Sequence, residues 1–256
     1  MTLFRPAPQQ PVRQADPVRL SGVEVTRGAR TVFSGLSLTL GERRIGLVGD
    51  NGSGKSTLLR LLNGLILPDA GTVSVGGLDT RRERRRLPAL VGFVFQNVDH
   101  QIIFPSVREE IAFGPIQQGL PKAEANAAAE RLLAAHGCAG WGDRAVSDLS
   151  EGQKQLVCIL AALAGGPQLL LLDEPFSSLD LTTRIAFGAR LAALDVQVVM
   201  ASHDLDLLAG FDRVLWLKGG LVVADGPPGA VIPLYREDAL ARAGLAVARA
   251  GAEGTP

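Results

Sequence analysis

Gly49-Asp50-Asn51-Gly52-Ser53-Gly54-Lys55-Ser56, followed by Thr57, matches the phosphate-binding pattern G-x-x-x-x-G-K-[ST] at every fixed position. On its amino side, Ile45-Gly46-Leu47-Val48 reads as a short buried strand. On its carboxyl side, Thr57-Leu58-Leu59-Arg60-Leu61-Leu62 reads as the start of a helix. Glycines let the backbone wrap closely around a polyphosphate and turn its N–H groups inward, and the helix N-terminus adds partial positive charge. In such a loop Lys55 reaches the β- and γ-phosphates, and the Ser56 hydroxyl is placed to ligate Mg²⁺. Gly49, Asn51, Gly52, Ser53, Gly54 and Thr57 complete the set expected to hold the nucleotide. Lysine otherwise occurs only at positions 122, 154 and 218, so a chance Lys-Ser after a Gly-rich turn is a poor explanation. The chain reads as a nucleotide-binding protein.

Composition sets outer bounds on that reading. The chain has 256 residues, enough to bury a substantial core. It is 46% hydrophobic and 20% charged, as soluble globular proteins are, and its net charge of zero speaks against a nucleic-acid partner. No apolar run reaches the roughly 18 residues needed to span a bilayer. Residues 1–17 are rich in Pro, Gln and Arg and lack an apolar core; a disordered leader is expected there rather than a signal peptide. Cys138 and Cys158 have no metal-ligand spacing and are expected to be unpaired packing residues in a reducing compartment. His100 and His136 lack any supporting context and are expected to be solvated.

Along the chain, residues 18–25 and 31–40 alternate apolar and polar side chains, as half-buried antiparallel strands do. Strands are expected at 71–75 and 91–95, with a solvated basic face at Arg81, Arg82, Arg84, Arg85 and Arg86 between them. From 97 to 120 the pattern loosens into short helical pieces punctuated by Pro105, Gly114, Pro115 and Gly119. Helices follow at 122–136 and 151–164, a fully apolar strand at 169–172, a helix at 181–194 and another buried strand at 196–201. A hairpin at 213–224 turns on Gly219-Gly220. Buried strands alternating with helices make an α/β core with a mixed sheet, preceded by an N-terminal antiparallel β subdomain. The stretch 97–165 falls between two core strands and is expected to form an inserted helical subdomain. The expected organisation is a leader at 1–17, one nucleotide-binding domain at 18–234 and a tail at 235–256, either a short dimer-contact helix or a frayed end.

A phosphate loop needs a metal-binding carboxylate at the end of a neighbouring strand. Leu169-Leu170-Leu171-Leu172-Asp173-Glu174 supplies two acids, Asp173 for the shell of Mg²⁺ and Glu174 as general base for the attacking water. Three further pieces stand around them: Gln96 after an apolar strand, Leu149-Ser150-Glu151-Gly152-Gln153 before a helix, and Ser202-His203-Asp204 after another strand. With these the chain resembles the ATP-binding-cassette ATPases. Their ordered set of phosphate loop, glutamine loop, signature, acidic strand end, S-x-L-D loop and switch histidine is met here by Lys55, Gln96, Ser150–Gln153, Asp173-Glu174, Ser177-Ser178-Leu179-Asp180 and His203. The resemblance spans about residues 18–230.

The resemblance implies ATP and Mg²⁺ as ligands, with Ser56, Gln96 and Asp173 at the metal. It also implies Glu174, His203 and Gln96 in catalysis. Ser150, Glu151, Gly152, Gln153 and Asp180 are implied to serve the site of a second ATPase subunit. Ser150 with Gln153 is also a capping box, and Asp180 a helix N-cap; both local roles are compatible with an anion site. Three positions depart from the family. Glu151 replaces the first signature glycine, Leu156 stands where arginine is usual, and Arg27 stands near the place of the aromatic that stacks on adenine.

Residues 91–115 are similar to the ATPase subunits of energy-coupling-factor importers, and residues 153–164 with 176–180 to biotin-importer ATPases. This implies a transmembrane coupling protein and a substrate-capture membrane protein as partners. The site of action is then the cytoplasmic face of the inner membrane. Phe104, Pro105 and Val107 are expected to line a groove for the coupling protein, with Glu109 and Glu110 pairing to its basic residues. Import of cobalt or nickel, and a cassette ATPase that moves nothing, stay open as alternatives to biotin.

Overall fold

The computed structural model describes residues 16–177 and 179–244. All of the expected leader but Asp16 and Pro17, and the end of the tail, lie outside them.

In chain order the elements are β1 (Val18–Arg27), β2 (Arg30–Leu40), β3 (Arg44–Val48), α1 (Lys55–Leu62), β4 (Ala70–Val75) and β5 (Leu78–Asp79). Then come β6 (Val91–Val94), α2 (Val107–Gln117), α3 (Lys122–Ala135), α4 (Glu151–Ala164), β7 (Leu169–Asp173) and α5 (Leu181–Ala193). The chain continues through β8 (Gln197–Ala201), α6 (Leu205–Leu208), β9 (Arg213–Lys218), β10 (Leu221–Gly226) and α7 (Pro228–Arg242). An antiparallel sheet of order β2-β1-β4-β5 stands against a six-stranded sheet of order β10-β9-β3-β8-β7-β6. In the larger sheet β9, β3, β8, β7 and β6 run parallel and β10 antiparallel.

Side chains alternate across a strand, so each apolar strand of the larger sheet feeds two cores. Leu169, Leu171, Val199, Leu215 and Leu217 face α1 and the smaller sheet. Leu170, Leu172, Val198, Met200 and Val214 face the helices on the other side. A continuous apolar run such as residues 169–172 is what a strand covered on both faces requires. The parallel strands β3, β6, β7 and β8 end at one edge, and open α/β sheets bind ligands in the crevice outside such carboxyl ends.

Two segments differ from the sequence expectation. Residues 107–117 form one continuous helix because Ser106 caps it and Pro115 sits in its last turn, where one missing N–H removes little. The supposed tail begins inside α7, which packs on β9 and sets Tyr235 against Trp216 with ring centroids 5.7 Å apart. The basic run needs no revision in exposure. Arg81, Arg82, Arg84, Arg85 and Arg86 all face solvent, on a turn and a 3₁₀ helix. Cys138 and Cys158 are free and buried, and burial pushes the Cys158 thiol up to about 12. His136 is half-buried rather than solvated, and burial lowers its pKa. Among the described residues no helix is long and apolar enough to cross a membrane.

Arg44 is the main polar group inside the fold. Its guanidinium donates to the carbonyls of Val196 (2.6 Å) and Leu191 (2.8 Å), closing the C-terminal end of α5 onto β3 and β8. The side chain is 6% exposed, so these carbonyls have no water to turn to if it is removed. Arg44→Met is expected to lower stability by about 2–4 kcal/mol, read as a lower urea midpoint at unchanged slope.

Candidate active site

The loop between β3 and α1 takes a path that only glycine follows. Gly49 has φ +145°, and a Cβ there would stand 2.1 Å from the Leu217 carbonyl oxygen. Gly54 has φ +112° at the N-cap of α1, and a Cβ would press to 2.8 Å on the Phe33 ring. The loop is therefore wedged between β9 and the smaller sheet, and the free N–H groups at the start of α1 are held at the sheet edge. The turn between β9 and β10 grips it further, through Gly220 N–H to the Ser53 carbonyl at 3.2 Å. Arg242 at the end of α7 adds a two-pronged ion pair to Asp50, with Nη1–Oδ2 at 2.6 Å and Nη2–Oδ1 at 3.0 Å.

The start of α1 and the ends of β7 and β8 place polar and titratable groups around this loop. Lys55 Nζ donates to the Gly49 carbonyl at 2.7 Å and the Asp50 carbonyl at 3.1 Å, and stands 3.9 Å from Glu174 Oε1. Burial pushes its pKa below the ordinary lysine value, while Glu174, Asp173 and Asp50 push it back up. Ser56 Oγ donates to Asp173 Oδ1 at 3.0 Å. Burial raises the Asp173 pKa, with the Ser56 hydrogen bond opposing it. Each of these two buried groups thus lacks the full counter-charge it would have beside a phosphate or a cation.

Glu174 has φ +49°, the sole positive value among described non-glycine residues. Strained backbone of this kind persists where surrounding contacts over-determine it. Here Glu174 N–H bonds to the Ala201 carbonyl at 2.9 Å, and His203 Nε2 lies 3.0 Å from Glu174 Oε1. The turn aims the carboxylate along the sheet edge at the phosphate loop.

One cavity of about 540 Å³ collects most of the residues named from the sequence: Arg27, Asn51, Gly52, Gly54, Lys55, Ser56, Thr57, Gln96, Glu174 and His203. Gly49, Ser53 and Asp173 lie behind its wall, buried. Arg30 and Val32 also line it and were not singled out from the sequence; their position opposite the phosphate loop follows only from the β1–β2 hairpin. Ser150, Glu151, Gly152, Gln153 and Asp180 are absent from that lining. They form a separate surface: a Cβ on Gly152 would stand 3.2 Å from Thr183 Cγ2, so the signature and the Asp180 loop adjoin. Ser150 and Gln153 make the reciprocal capping box, and Asp180 caps α5 through Thr183 N–H at 2.9 Å. Another cavity, of about 580 Å³, lies between α5 and α6, where Leu181, Ile185 and Phe211 give it an apolar wall remote from the phosphate loop.

Two expected partner-facing residues are turned inward. Glu110 is 7% exposed and accepts from the Ile103 and Phe104 N–H groups, both at 2.9 Å, and Val107 is fully buried. Phe104 and Pro105 do line a groove of about 320 Å³, with Asp99, Ile102, Val146 and Lys154. Leu156 belongs to the helical core, which gives a packing reason for an apolar residue there.

A phosphate loop at the sheet edge, with a lysine, a serine–aspartate pair and a second acid beside a histidine, defines a P-loop ATPase. The chain belongs to the ABC transporter family, whose model matches residues 33–177; it is an ATP-binding, ATP-hydrolysing cassette. It is 52% identical over 229 residues to the biotin transport ATP-binding protein BioM of Rhodobacter capsulatus, covering 89% of this chain and 98% of that one. Among solved structures it is similar to CbiO1 from Clostridium perfringens, part of the ABC transporter complex CbiONQ, with TM-score 0.75 and 26% identity over 89% of this chain and 96% of that one. It is similar also to a dimeric ATP-binding cassette in a post-hydrolysis state bound to ADP and Pi, with TM-score 0.71 and 26% identity over 82% of this chain and 98% of that one.

Gly49→Ala tests the wedged loop. The new Cβ cannot share space with the Leu217 carbonyl, so ATP affinity should fall at least about tenfold and stability by about 2 kcal/mol. A fluorescent ATP analogue and urea unfolding measure the two.

Proposed function

We propose that this chain is the energising subunit of an energy-coupling-factor importer and that the transported vitamin is biotin. The observation that carries the reading is near full-length similarity to a biotin transport ATP-binding protein, on a chain whose Ser150–Gln153 stretch lies outside the cavity at the phosphate loop. In this reading two heads close face to face. Lys55 and the loop N–H groups hold the ATP phosphates from one side, and the partner head presents its own Ser150–Gly152 helix start and Asp180 loop from the other. The resemblance to a dimeric cassette bound to ADP and Pi supports that arrangement.

Glu174 accepts the proton of the attacking water, and His203, 3.0 Å away, holds that carboxylate in position and contacts the transferred phosphoryl group. Lys55 neutralises charge on the transferred phosphoryl group and on the β-phosphate oxygen of ADP, whose bond to the γ-phosphorus breaks as the water oxygen adds. The residues fit a magnesium ion, since Ser56 Oγ and Asp173 Oδ1 are hard oxygens already side by side on a buried wall. Ser56, Asp173 and Gln96 would hold it, and when bound it spreads charge over the β- and γ-phosphates. Gln96 heads the segment that leads into the Phe104–Pro105 groove, where we place the transmembrane coupling protein; a substrate-capture protein completes the complex. The chain then works peripherally at the cytoplasmic face of the inner membrane.

The test is the assembled complex in vesicles. ATP-driven uptake of labelled biotin, and not of Co²⁺ or Ni²⁺, is expected; uptake of the metal ions alone would reassign the cargo. Glu174→Gln should retain ATP binding and lose at least about a hundredfold in turnover. Ser150→Arg should leave ATP binding to the separate chain unchanged and abolish hydrolysis by the complex. Normal turnover in either variant would overturn the divided site.

A further inference from the structure

Asp50 puts a carboxylate inside the phosphate loop, whose ligand is a polyanion. Its backbone carbonyl serves the loop, accepting from Lys55 Nζ and from the Ser53 N–H, both at 3.1 Å. Its charge reaches the site as well, since Asp50 is one of the three acids that push the Lys55 pKa back up. A fixed negative charge so near the phosphate-binding ammonium opposes an incoming polyphosphate, and opposes it more as salt is removed. The side chain is absent from the lining of the nucleotide cavity and is turned instead toward α7.

The cation that meets it comes from far along the chain. Arg242 lies in the last turn of α7 and, among the described residues, is the one cation paired with the Asp50 carboxylate, touching both of its oxygens. Its Nε also donates to Asp238 Oδ2 at 2.8 Å, but Asp238 has a cation of its own, Lys218 Nζ, at 2.6 Å on the other oxygen. The four groups alternate in sign, and the charge of Arg242 is left to balance Asp50. Isolated surface pairs contribute little, whereas a two-pronged pair inside a network keeps its geometry. The frame around it is packed. Helix α7 rests on β9 with Tyr235 edge-on to Trp216, and the turn just after Lys218 grips the same loop through Gly220.

We propose that Arg242 is a positioning residue of the nucleotide site: it cancels the charge of Asp50 and pins that carboxylate against α7. The phosphate affinity of the loop is then set by a helix 192 residues further on. This rests on the reading of the cavity as the ATP site, and it goes beyond that reading in giving α7 a part in binding.

The experiment measures binding of ATP and of inorganic tripolyphosphate to the full chain, as wild type, Arg242→Ala, Arg242→Lys, Asp50→Asn and the double variant Asp50→Asn/Arg242→Ala. Arg242→Ala should weaken both ligands about five- to tenfold at an ionic strength of about 10 mM. The loss should shrink below about twofold at about 1 M, where charges are screened within about 3 Å. Arg242→Lys keeps the charge and should keep most of the affinity. Asp50→Asn should bind both ligands at least as tightly as wild type. The double variant should return to within about twofold of wild type, because the acid that needed cancelling is gone. Wild-type affinity in Arg242→Ala at low salt would overturn the proposal. So would a double variant as weak as Arg242→Ala, the mark of a purely structural clasp, or a loss that salt does not diminish. Should Arg242→Ala fail to fold, Asp50→Asn decides, and weaker binding than wild type overturns the proposal. Lys55→Ala separates this from the site itself. If tripolyphosphate binding survives that change, the reading of the cavity fails; if it is lost while Arg242→Ala binds as wild type, only the role of Arg242 fails.

Discussion

A lysine ammonium left 5% exposed has to be neutralised, and that constraint organises the molecule. Lys55 sits at the start of α1, and its counter-charges arrive from Asp173 and Glu174 at the end of β7 and from Asp50 in the loop itself. For Asp173 and Glu174 to reach it, β7 must lie in the same sheet as β3, separated from it by β8 and ending at the same edge. His203 enters the same cluster from the end of β8, three ångströms from Glu174. The parallel sheet is what brings three distant segments to one ammonium group. Its two cores, fed by alternate residues of the same strands, keep those ends in register.

Around that cluster the chain uses single groups for two purposes. The Ser150–Gln153 capping box starts α4 and also leaves a helix N-terminus exposed toward solvent, where an anion is favoured. Asp180 caps α5 on the adjoining surface, joined to the signature through Thr183 beside Gly152. Neither residue set lines the cavity at Lys55, so two polar surfaces stand apart on one chain.

The order of elements and most of their bounds were legible because each rests on local chemistry. The alternation in β1 and β2, the four leucines of β7, the Ala-rich stretch of α3 and the Gly219-Gly220 turn need no distant partner to be read. The phosphate loop was equally plain, since Gly49, Gly54, Lys55 and Ser56 must stand at fixed spacing to cradle a phosphate. The misreadings turned on contacts that the apolar and polar pattern alone does not encode. Glu110 looked like a surface acid and is instead a buried acceptor for two N–H groups of the preceding loop. Val107 looked like a groove residue and is core. Residues past 234 looked like a tail, yet α7 carries Arg242 back to Asp50 across the fold.

The amino-acid sequence therefore settled the kind of fold and the family, because a phosphate loop and its acidic strand end are short-range patterns with few substitutes. Tertiary packing settled which residues face the cavity, the solvent or the core. Arg30 beside Gly52 and Glu174 held at a positive φ beside His203 are outcomes of strand order and hairpin placement. Spacing along the chain carries no record of them, since the contacts that create them join residues brought together only when the two sheets close on α1.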